Sequence, residues 1–278
     1  MNNKNRAFLK WAGGKFKLVD TLKTYLPEGD RLIEPFVGAG SVFLNTDYES
    51  YLLCDINQDL INLYQVLQTQ PELYIQEAKK LFSPSTNDKT FYYDIRSQFN
   101  ASTDAFERSL FFLYMNRHGF NGLCRYNRKG GFNVPFGSYK KPYFPEHELN
   151  VFAEKSLKAE FACIGYEQAF ALATAGDVVY CDPPYAPLST TASFTSYAGN
   201  GFSLDDQALL ARHSRHTAMD RNIPVVISNH DIPLTRELYH GALLGKIKVQ
   251  RNISQKGSSR KKVDELIALY DEQYHMCS

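Results

Sequence analysis

Asp182-Pro183-Pro184-Tyr185 places a carboxylate, two imino acids and a phenol ring in four consecutive positions. It follows Asp-Val-Val-Tyr-Cys at 177–181, a short apolar run that reads as a buried strand. Prolines cannot donate to a sheet ladder and fix φ, and the residue before a proline is pushed to extended geometry. Asp182 therefore ends a strand, and a stiff loop holds Tyr185 at a set distance from its carboxylate. In an open α/β sheet, ligands bind beyond the carboxyl ends of the strands. A carboxylate, an ordered backbone carbonyl and a ring at that place suit a flat base carrying an amino group. The two oxygens accept its N–H bonds and the ring stacks on its face. The tetrapeptide by itself is equally a turn, because Asp and Pro are common turn residues.

Three further stretches could line a cofactor pocket. Arg31-Leu32-Ile33-Glu34 reads as a strand, Pro35-Phe36-Val37-Gly38-Ala39-Gly40-Ser41 as a glycine turn, and Val42-Phe43-Leu44 as the start of a helix. Position 43, where a dinucleotide fingerprint carries its third glycine, is Phe, so a pyrophosphate ligand is not implied. A second strand at 51–54 ends in Asp55, placed to accept hydrogen bonds from ribose hydroxyls. Asn57 can cap the helix that follows, which leaves Asp55 for a ligand. Near the start, the one tryptophan, Trp11, lies beside Gly13-Gly14 and Lys15. This is either a stacking face next to permissive backbone or an ordinary turn before a helix at 17–25.

At 278 residues with 44% hydrophobic residues, the chain is long enough for one large domain, or one domain with an insert, around a substantial core. No run approaches the length of a membrane span and no secretory leader is seen, so a cytoplasmic protein is expected. Five widely spaced cysteines without a C-x-x-C pair argue against a disulfide framework or a zinc ribbon. No metal is expected, since His213 and His216 share a helix face without a matching second pair. The formal net charge is +1, yet no acid occurs between Glu107 and Glu146, a window holding Arg108, Arg117, Arg125, Arg128, Lys129, Lys140 and Lys141. A neutral protein with one basic segment suggests a local anionic partner.

The elements that must position these residues follow from periodicity. Helical spacing runs from 57 to 115 with breaks at Pro71 and at the loop 83–88, and it reads as an inserted helical bundle. In 116–141 the Asn121-Gly122 and Gly130-Gly131 turns alternate with short extended pieces, which reads as a hairpin with long loops. Aromatics interleave there with arginines. Such residues neutralise phosphates, and Arg and Asn can grip base edges. A strand is expected at 161–164, a Ser-, Thr- and Gly-rich loop that orders over a substrate at 188–203, and a Ser203-capped helix at 204–220. Strand 224–228 ends in Asn229-His230-Asp231, where His230 is either a general base or structural. A hairpin at 246–252 and 263–270, with the basic turn 255–262 at its tip, closes the chain.

From about 7 to 270 the chain resembles the Dam family of DNA adenine-N6 methyltransferases. The resemblance rests on Phe8-Leu9-Lys10-Trp11-Ala12-Gly13-Gly14-Lys15, Pro35-Phe36-Val37-Gly38-Ala39-Gly40, Asn121-Gly122-Leu123-Cys124-Arg125-Tyr126-Asn127 and Asp182-Pro183-Pro184-Tyr185, in this order. It implies an α/β fold: a Rossmann-like, mostly parallel sheet with a C-terminal antiparallel hairpin, and an inserted recognition domain of helical bundle plus hairpin. The catalytic domain would comprise 1–56 and 145–270, and the insert 57–144. The resemblance further implies S-adenosyl-L-methionine as methyl donor, held by Trp11, Lys15, Glu34, Phe36, Gly38, Gly40, Asp55 and Asp182. Asp182, Pro183, Pro184 and Tyr185 would be catalytic. The implied substrate is double-stranded DNA at GATC, bound by a monomer. Lys10 would read a guanine near the target and Arg125 a base pair on the far side. Phe120 and Asn121 would fill the gap left by the extruded base or hold the orphaned thymine. Leu123, Pro135 and Tyr139 would face the groove, with Asn127 and Lys140 also on DNA. Members often carry Tyr where Phe120 stands, so stacking is retained here and a hydroxyl contact is lost.

The chemistry expected is direct methyl transfer to an extruded adenine, with Asp182 and the Pro183 carbonyl holding its amino group and Tyr185 stacked on it. A cytosine-N4 methyltransferase could use the same stretch. A protein-glutamine methyltransferase would carry Asn in place of Asp182 and would not need the basic window. A DNA-binding module without catalysis would not need the cofactor stretches.

Overall fold

The computed structural model describes residues 4–188, 202–249 and 263–272. The expected loop at 188–203 therefore falls, from 189 to 201, outside the described residues, as does the basic turn 255–262. In chain order the described elements are α1 (Val19–Lys23), β1 (Arg31–Glu34), β2 (Ser50–Cys54), α2 (Gln58–Thr69), α3 (Pro71–Lys80), α4 (Lys89–Ala101), α5 (Ala105–His118), α6 (Glu146–Ser156), β3 (Ala159–Ala162), α7 (Tyr166–Ala171), β4 (Asp177–Cys181), α8 (Leu204–Arg221), β5 (Val225–His230), α9 (Pro233–Leu238), β6 (Leu243–Val249) and β7 (Val263–Tyr270). Among the described residues no helix is long and apolar enough to cross a membrane. They fall into two compact units.

One unit comprises the described residues of Met1–Val19, Val37–Asp47 and Asp55–Cys163. It contains the expected helical bundle. Asn57 caps α2, its Oδ1 accepting the Leu60 N–H at 3.2 Å. The helix stops before Pro71, which opens α3. Asp88 and Asp104 cap α4 and α5 in the same way. Leu60, Ile61, Leu63, Tyr64 and Leu67 of α2 are buried, and the Tyr64 ring stacks on Phe152 of α6 at 4.6 Å. Burying each such side chain is worth about 1.5–3 kcal/mol.

One expectation for this unit changes in detail. The helix after the glycine turn is a single 3-10 turn, Phe43–Asn45, because Thr46 is already extended. The Asn45 amide holds that turn by donating to Ser41 O and Asn5 O. The hairpin with long loops expected in 116–141 is present as two isolated antiparallel bridges, Gly119↔Phe136 and Tyr126↔Phe132. Backbone bonds from Asn133 N–H to Arg125 O at 3.0 Å and from Asn127 N–H to Gly131 O at 2.8 Å pair its two sides. Side chains add to them: Asn127 Oδ1 accepts the N–H groups of Lys129 and Gly131, and the Asn100 side chain bonds both N–H and C=O of Phe132.

The other unit comprises the described residues of Asp20–Phe36, Tyr48–Cys54 and Ile164–Ser278. Its strands lie in the order β2-β1-β4-β5-β7-β6. β2, β1, β4 and β5 are parallel; β7 and β6 are antiparallel. The apolar runs in β1, β4 and β5 are fully buried, as parallel strands require. β1 and β4 start in register, Arg31 opposite Asp177, and the Arg31 guanidinium grips the Asp177 carboxylate at 2.6 and 2.9 Å. The chain crosses from β1 to β2 on one side and from β4 to β5 on the other. The carboxyl ends of β1 and β4 therefore emerge side by side at the point where strand order reverses, which is where ligands bind in open α/β sheets. Glu34 ends β1 and Asp182 follows β4.

Candidate active site

Asp182 follows the last residue of β4, as its two prolines demand, and Oδ1 of its carboxylate accepts the Ser228 hydroxyl at 3.0 Å. Ser228 is fully buried in β5. Tyr185 donates its hydroxyl to Glu265 Oε2 at 3.2 Å and meets the His230 ring edge-on at 4.9 Å. Burial, then the nearby carboxylates of Asp182 and Glu265, push the Tyr185 phenol well above its usual range, so it remains neutral. The loop is held from behind. Gln207 Nε2 donates to Pro184 O at 2.7 Å, and Asn229 Oδ1 accepts the Ala186 N–H at 3.0 Å. His230 Nδ1 donates to Ala186 O at 2.7 Å. That bond makes the histidine a support of the loop, the structural alternative for this residue. Of the remaining sites expected in this unit, Glu34 is buried at the end of β1, and Phe36 stacks on Tyr166 at 5.7 Å.

The glycine turn, in the other unit, is a second cradle. Gly38 has φ +47° and Gly40 φ +70°, both left-handed. A Cβ on Gly38 would lie 2.9 Å from Trp11 Cδ1 and Nε1, so only glycine lets the indole lie against this turn. Asp55 closes it: Oδ2 accepts the Gly38 N–H at 3.2 Å and Oδ1 the Asn57 N–H at 2.9 Å. Burial raises the Asp55 carboxyl above the usual range, against backbone N–H bonds from Asn57, Gly38 and Ile56 that lower it. Lys15 is buried and donates to Gly13 O at 2.7 Å. The next residue after Asp55, Ile56, is 79% exposed, an apolar surface beside the acid that no sequence pattern singles out.

The basic window surrounds Lys10. The Lys10 ammonium lies 3.9 Å from the centre of the Tyr139 ring and donates to Arg117 O. Burial, and then the Arg117 charge, lower its pKa. Its stem covers Gly122, where a Cβ would collide with Lys10 Cβ. Asn121 and Gly122 both have positive φ, and this kink leaves Phe120 and Leu123 about 40% and 39% exposed. The Phe120 N–H is tied to Pro135 O at 2.8 Å. Arg125 folds onto Asn133, its Nε donating at 2.7 Å to Oδ1. Asn127 uses its side-chain oxygen within its own turn, and Lys140 is exposed. Burial pushes the Cys124 thiol up to about 11, so it carries no thiolate at neutral pH.

Sequence reasoning missed Ser228, Glu265, Gln207 and Asn116. The first two touch Asp182 and Tyr185, the third holds the loop, and Asn116 grips the Lys10 backbone. Ser228 and Asn229 did carry a signal: they are polar residues that continue a fully apolar strand.

Comparison with known proteins bears on the same residues. A model of the D12 class of N6 adenine-specific DNA methyltransferases matches residues 11–253. A DNA adenine methylase of Vibrio cholerae serotype O1 is 65% identical over 267 residues, 96% of each chain. Those of Escherichia coli K12 and Serratia marcescens are 58% and 57% identical over 267 residues, covering 96% of this chain and 96% and 99% of theirs. A full-length match at this identity sets aside the cytosine-N4 and protein-glutamine alternatives. The chain belongs to the D12 class of N6 adenine-specific DNA methyltransferases.

Proposed function

We propose that the chain transfers a methyl group from S-adenosyl-L-methionine to the amino nitrogen of an extruded adenine within GATC in duplex DNA. The observation that carries this is the pair Asp182 and Tyr185 at the carboxyl end of β4, one held by Ser228 and the other by Glu265. The DNA adenine methylases to which the chain is similar support adenine in DNA as the group methylated.

The residues present fit that methyl donor. The turn at Gly38 rejects a Cβ and has an indole against it; Asp55 offers a carboxylate at the end of β2; Ile56 offers an apolar face. Such a set matches a nucleoside with a flat purine and ribose hydroxyls, with Trp11, Lys15, Glu34, Phe36, Gly38, Gly40, Asp55 and Asp182 holding it. When bound, the donor supplies a methyl group on a positively charged sulfur.

This chain's own residues do the rest. The amino nitrogen of adenine is a poor nucleophile because its lone pair is delocalised into the ring. Hydrogen bonds from that group to the Asp182 carboxylate and the Pro183 carbonyl favour a pyramidal nitrogen and localise the pair. Tyr185, a neutral phenol, stacks on the base and keeps it in line. Catalysis is then positioning and electrostatics, with neither metal nor covalent enzyme intermediate. Extruding the base costs a few kcal/mol. Phe120, exposed at the Asn121-Gly122 kink, and Asn121 occupy the gap, while Lys10, Leu123, Arg125, Asn127, Pro135, Tyr139 and Lys140 contact the surrounding DNA. In this scheme 57–144 recognises the target and 1–56 with 145–270 performs transfer, as a monomer in the cytoplasm. Digestion of treated plasmid with nucleases that distinguish methylated from unmethylated GATC tests it. Resistance to the methylation-blocked nuclease is expected; unchanged cutting would contradict it.

A further inference from the structure

We propose that Glu265, together with the Gln207–Asn229 amide pair, sets the plane of the Tyr185 ring and so acts as a positioning device for the methyl-accepting base; this rests on Tyr185 being the ring that stacks on it.

An aromatic ring stacks well only when its plane is fixed parallel to its partner. The ring of Tyr185 is fixed from three directions, all within one compact unit. Its hydroxyl donates to Glu265, a carboxylate that is 1% exposed in β7. Its backbone is held on both sides: the Pro184 carbonyl before it accepts from Gln207, and the Ala186 amide after it donates to Asn229. Gln207 and Asn229 are both buried and bond one another, Asn229 Nδ2 to Gln207 Oε1 at 3.0 Å. Asn229 Nδ2 also donates to the Tyr239 hydroxyl at 2.9 Å, so this amide pair is itself anchored. The third direction is the His230 ring, edge-on at 81°.

A buried carboxylate is costly to fold around unless it is hydrogen-bonded. Glu265 reaches the site because β7 is antiparallel to β5 and in register, with Glu265 opposite His230. The strand that closes the sheet thus brings an acid from 80 residues away to the phenol. Glu265, Gln207 and Asn229 are supports, not groups that touch the reacting atoms.

Four proteins decide this: Glu265→Leu, Glu265→Gln, Tyr185→Phe and the double variant Glu265→Leu/Tyr185→Phe. Each is measured by single-turnover methylation of a GATC duplex with saturating S-adenosylmethionine, and by fluorescence of 2-aminopurine at the target position. Glu265→Leu and Tyr185→Phe should each slow transfer about tenfold to a hundredfold, the range for a lost hydrogen bond to a charge or a small misplacement. Glu265→Gln, which still accepts from the phenol, should recover most of that loss. The double variant should be no slower than either single one. 2-Aminopurine should brighten in Glu265→Leu at unchanged DNA affinity, as the extruded base loses its stacking partner. A parent-like rate in Glu265→Leu, or losses that multiply in the double variant, would overturn the proposal. Should Glu265→Leu not fold, Tyr185→Phe decides: a parent-like rate overturns the proposal and a loss supports it. Asp182→Ala on the same duplex separates the failures, since an active Asp182→Ala defeats the catalytic assignment itself, and an inactive one beside an active Glu265→Leu defeats only this inference.

Discussion

Asn116 holds Lys10 by both ends of its peptide: Oδ1 accepts the Lys10 N–H at 2.9 Å and Nδ2 donates to the Lys10 carbonyl at 2.7 Å. Asn116 is 3% exposed on α5, 106 residues from its partner. It pins the segment before Trp11 onto the helix that leads into the basic window, with the Lys10 stem laid over Gly122.

Replacing Asn116 with Asp keeps its shape and its acceptor but removes the donor to Lys10 O. Loss of a buried partner of this kind should cost about 1–3 kcal/mol of stability. If Lys10 reads a guanine, the same change should lower discrimination at that base pair, where a good contact is worth about 1–3 kcal/mol. Methylation rates on GATC and on a duplex with that guanine replaced measure this. A rate ratio equal to the parent's would contradict it.

Gly38→Ala tests the cofactor cradle. The new Cβ would stand 2.9 Å from the indole at φ +47°, so Trp11 must shift and the backbone is strained by about 1–2 kcal/mol. Affinity for S-adenosylmethionine, titrated calorimetrically without DNA, should fall about tenfold or more. Gly40→Ala provides the contrast: its backbone is also left-handed, but its nearest neighbour would be Phe152 at 3.5 Å, an ordinary contact. Equal, parent-like affinity in Gly38→Ala would show that Trp11 and this turn do not bind the donor.

His118 makes stability depend on pH. It is 1% exposed, stacks on Tyr114 at 3.9 Å and donates from Nδ1 to Tyr114 O at 2.9 Å. Burial pushes its pKa down from 6.5 to about 4. Between these values the unfolded chain takes up a proton that the folded chain refuses, so acidification removes stability. Urea unfolding at pH 7 and pH 4.5 should therefore show a larger drop for the parent than for His118→Asn, by on the order of 2 kcal/mol. Equal drops would show that the ring is protonated in the fold.

Much of this was legible in local sequence because the signals act locally. Asn57 and Ser203 cap the helices they precede, and the prolines at 183 and 184 end β4 where their chemistry requires. Asp55 stands beside the glycine turn because strand and turn are short and adjacent in the chain. The supports of the site were not legible. Glu265 opens a strand as part of Asp-Glu-Leu-Ile, a pattern that reads equally as a charged, protected edge. Gln207 lies in a polar helix where a glutamine is unremarked, and Asn116 falls just past the end of the helical spacing, in what is the last turn of α5. Their partners lie at sequence separations of 23 to 106 residues, and no periodicity reports a contact of that range. The hairpin at 116–141 was legible from its Asn-Gly and Gly-Gly turns, but the bonds that the Asn100 and Asn127 side chains make to its backbone were not.

The role of Asp182 is tested most directly by N6-methyladenine formation, quantified by mass spectrometry in DNA incubated with S-adenosylmethionine and either the parent chain or Asp182→Ala. The parent should form the product, and the variant should be slower by a factor on the order of 100–1000 or more while still retaining DNA. A variant that methylates adenine at the parent's rate would contradict the assignment of the carboxylate after β4 to the transfer step.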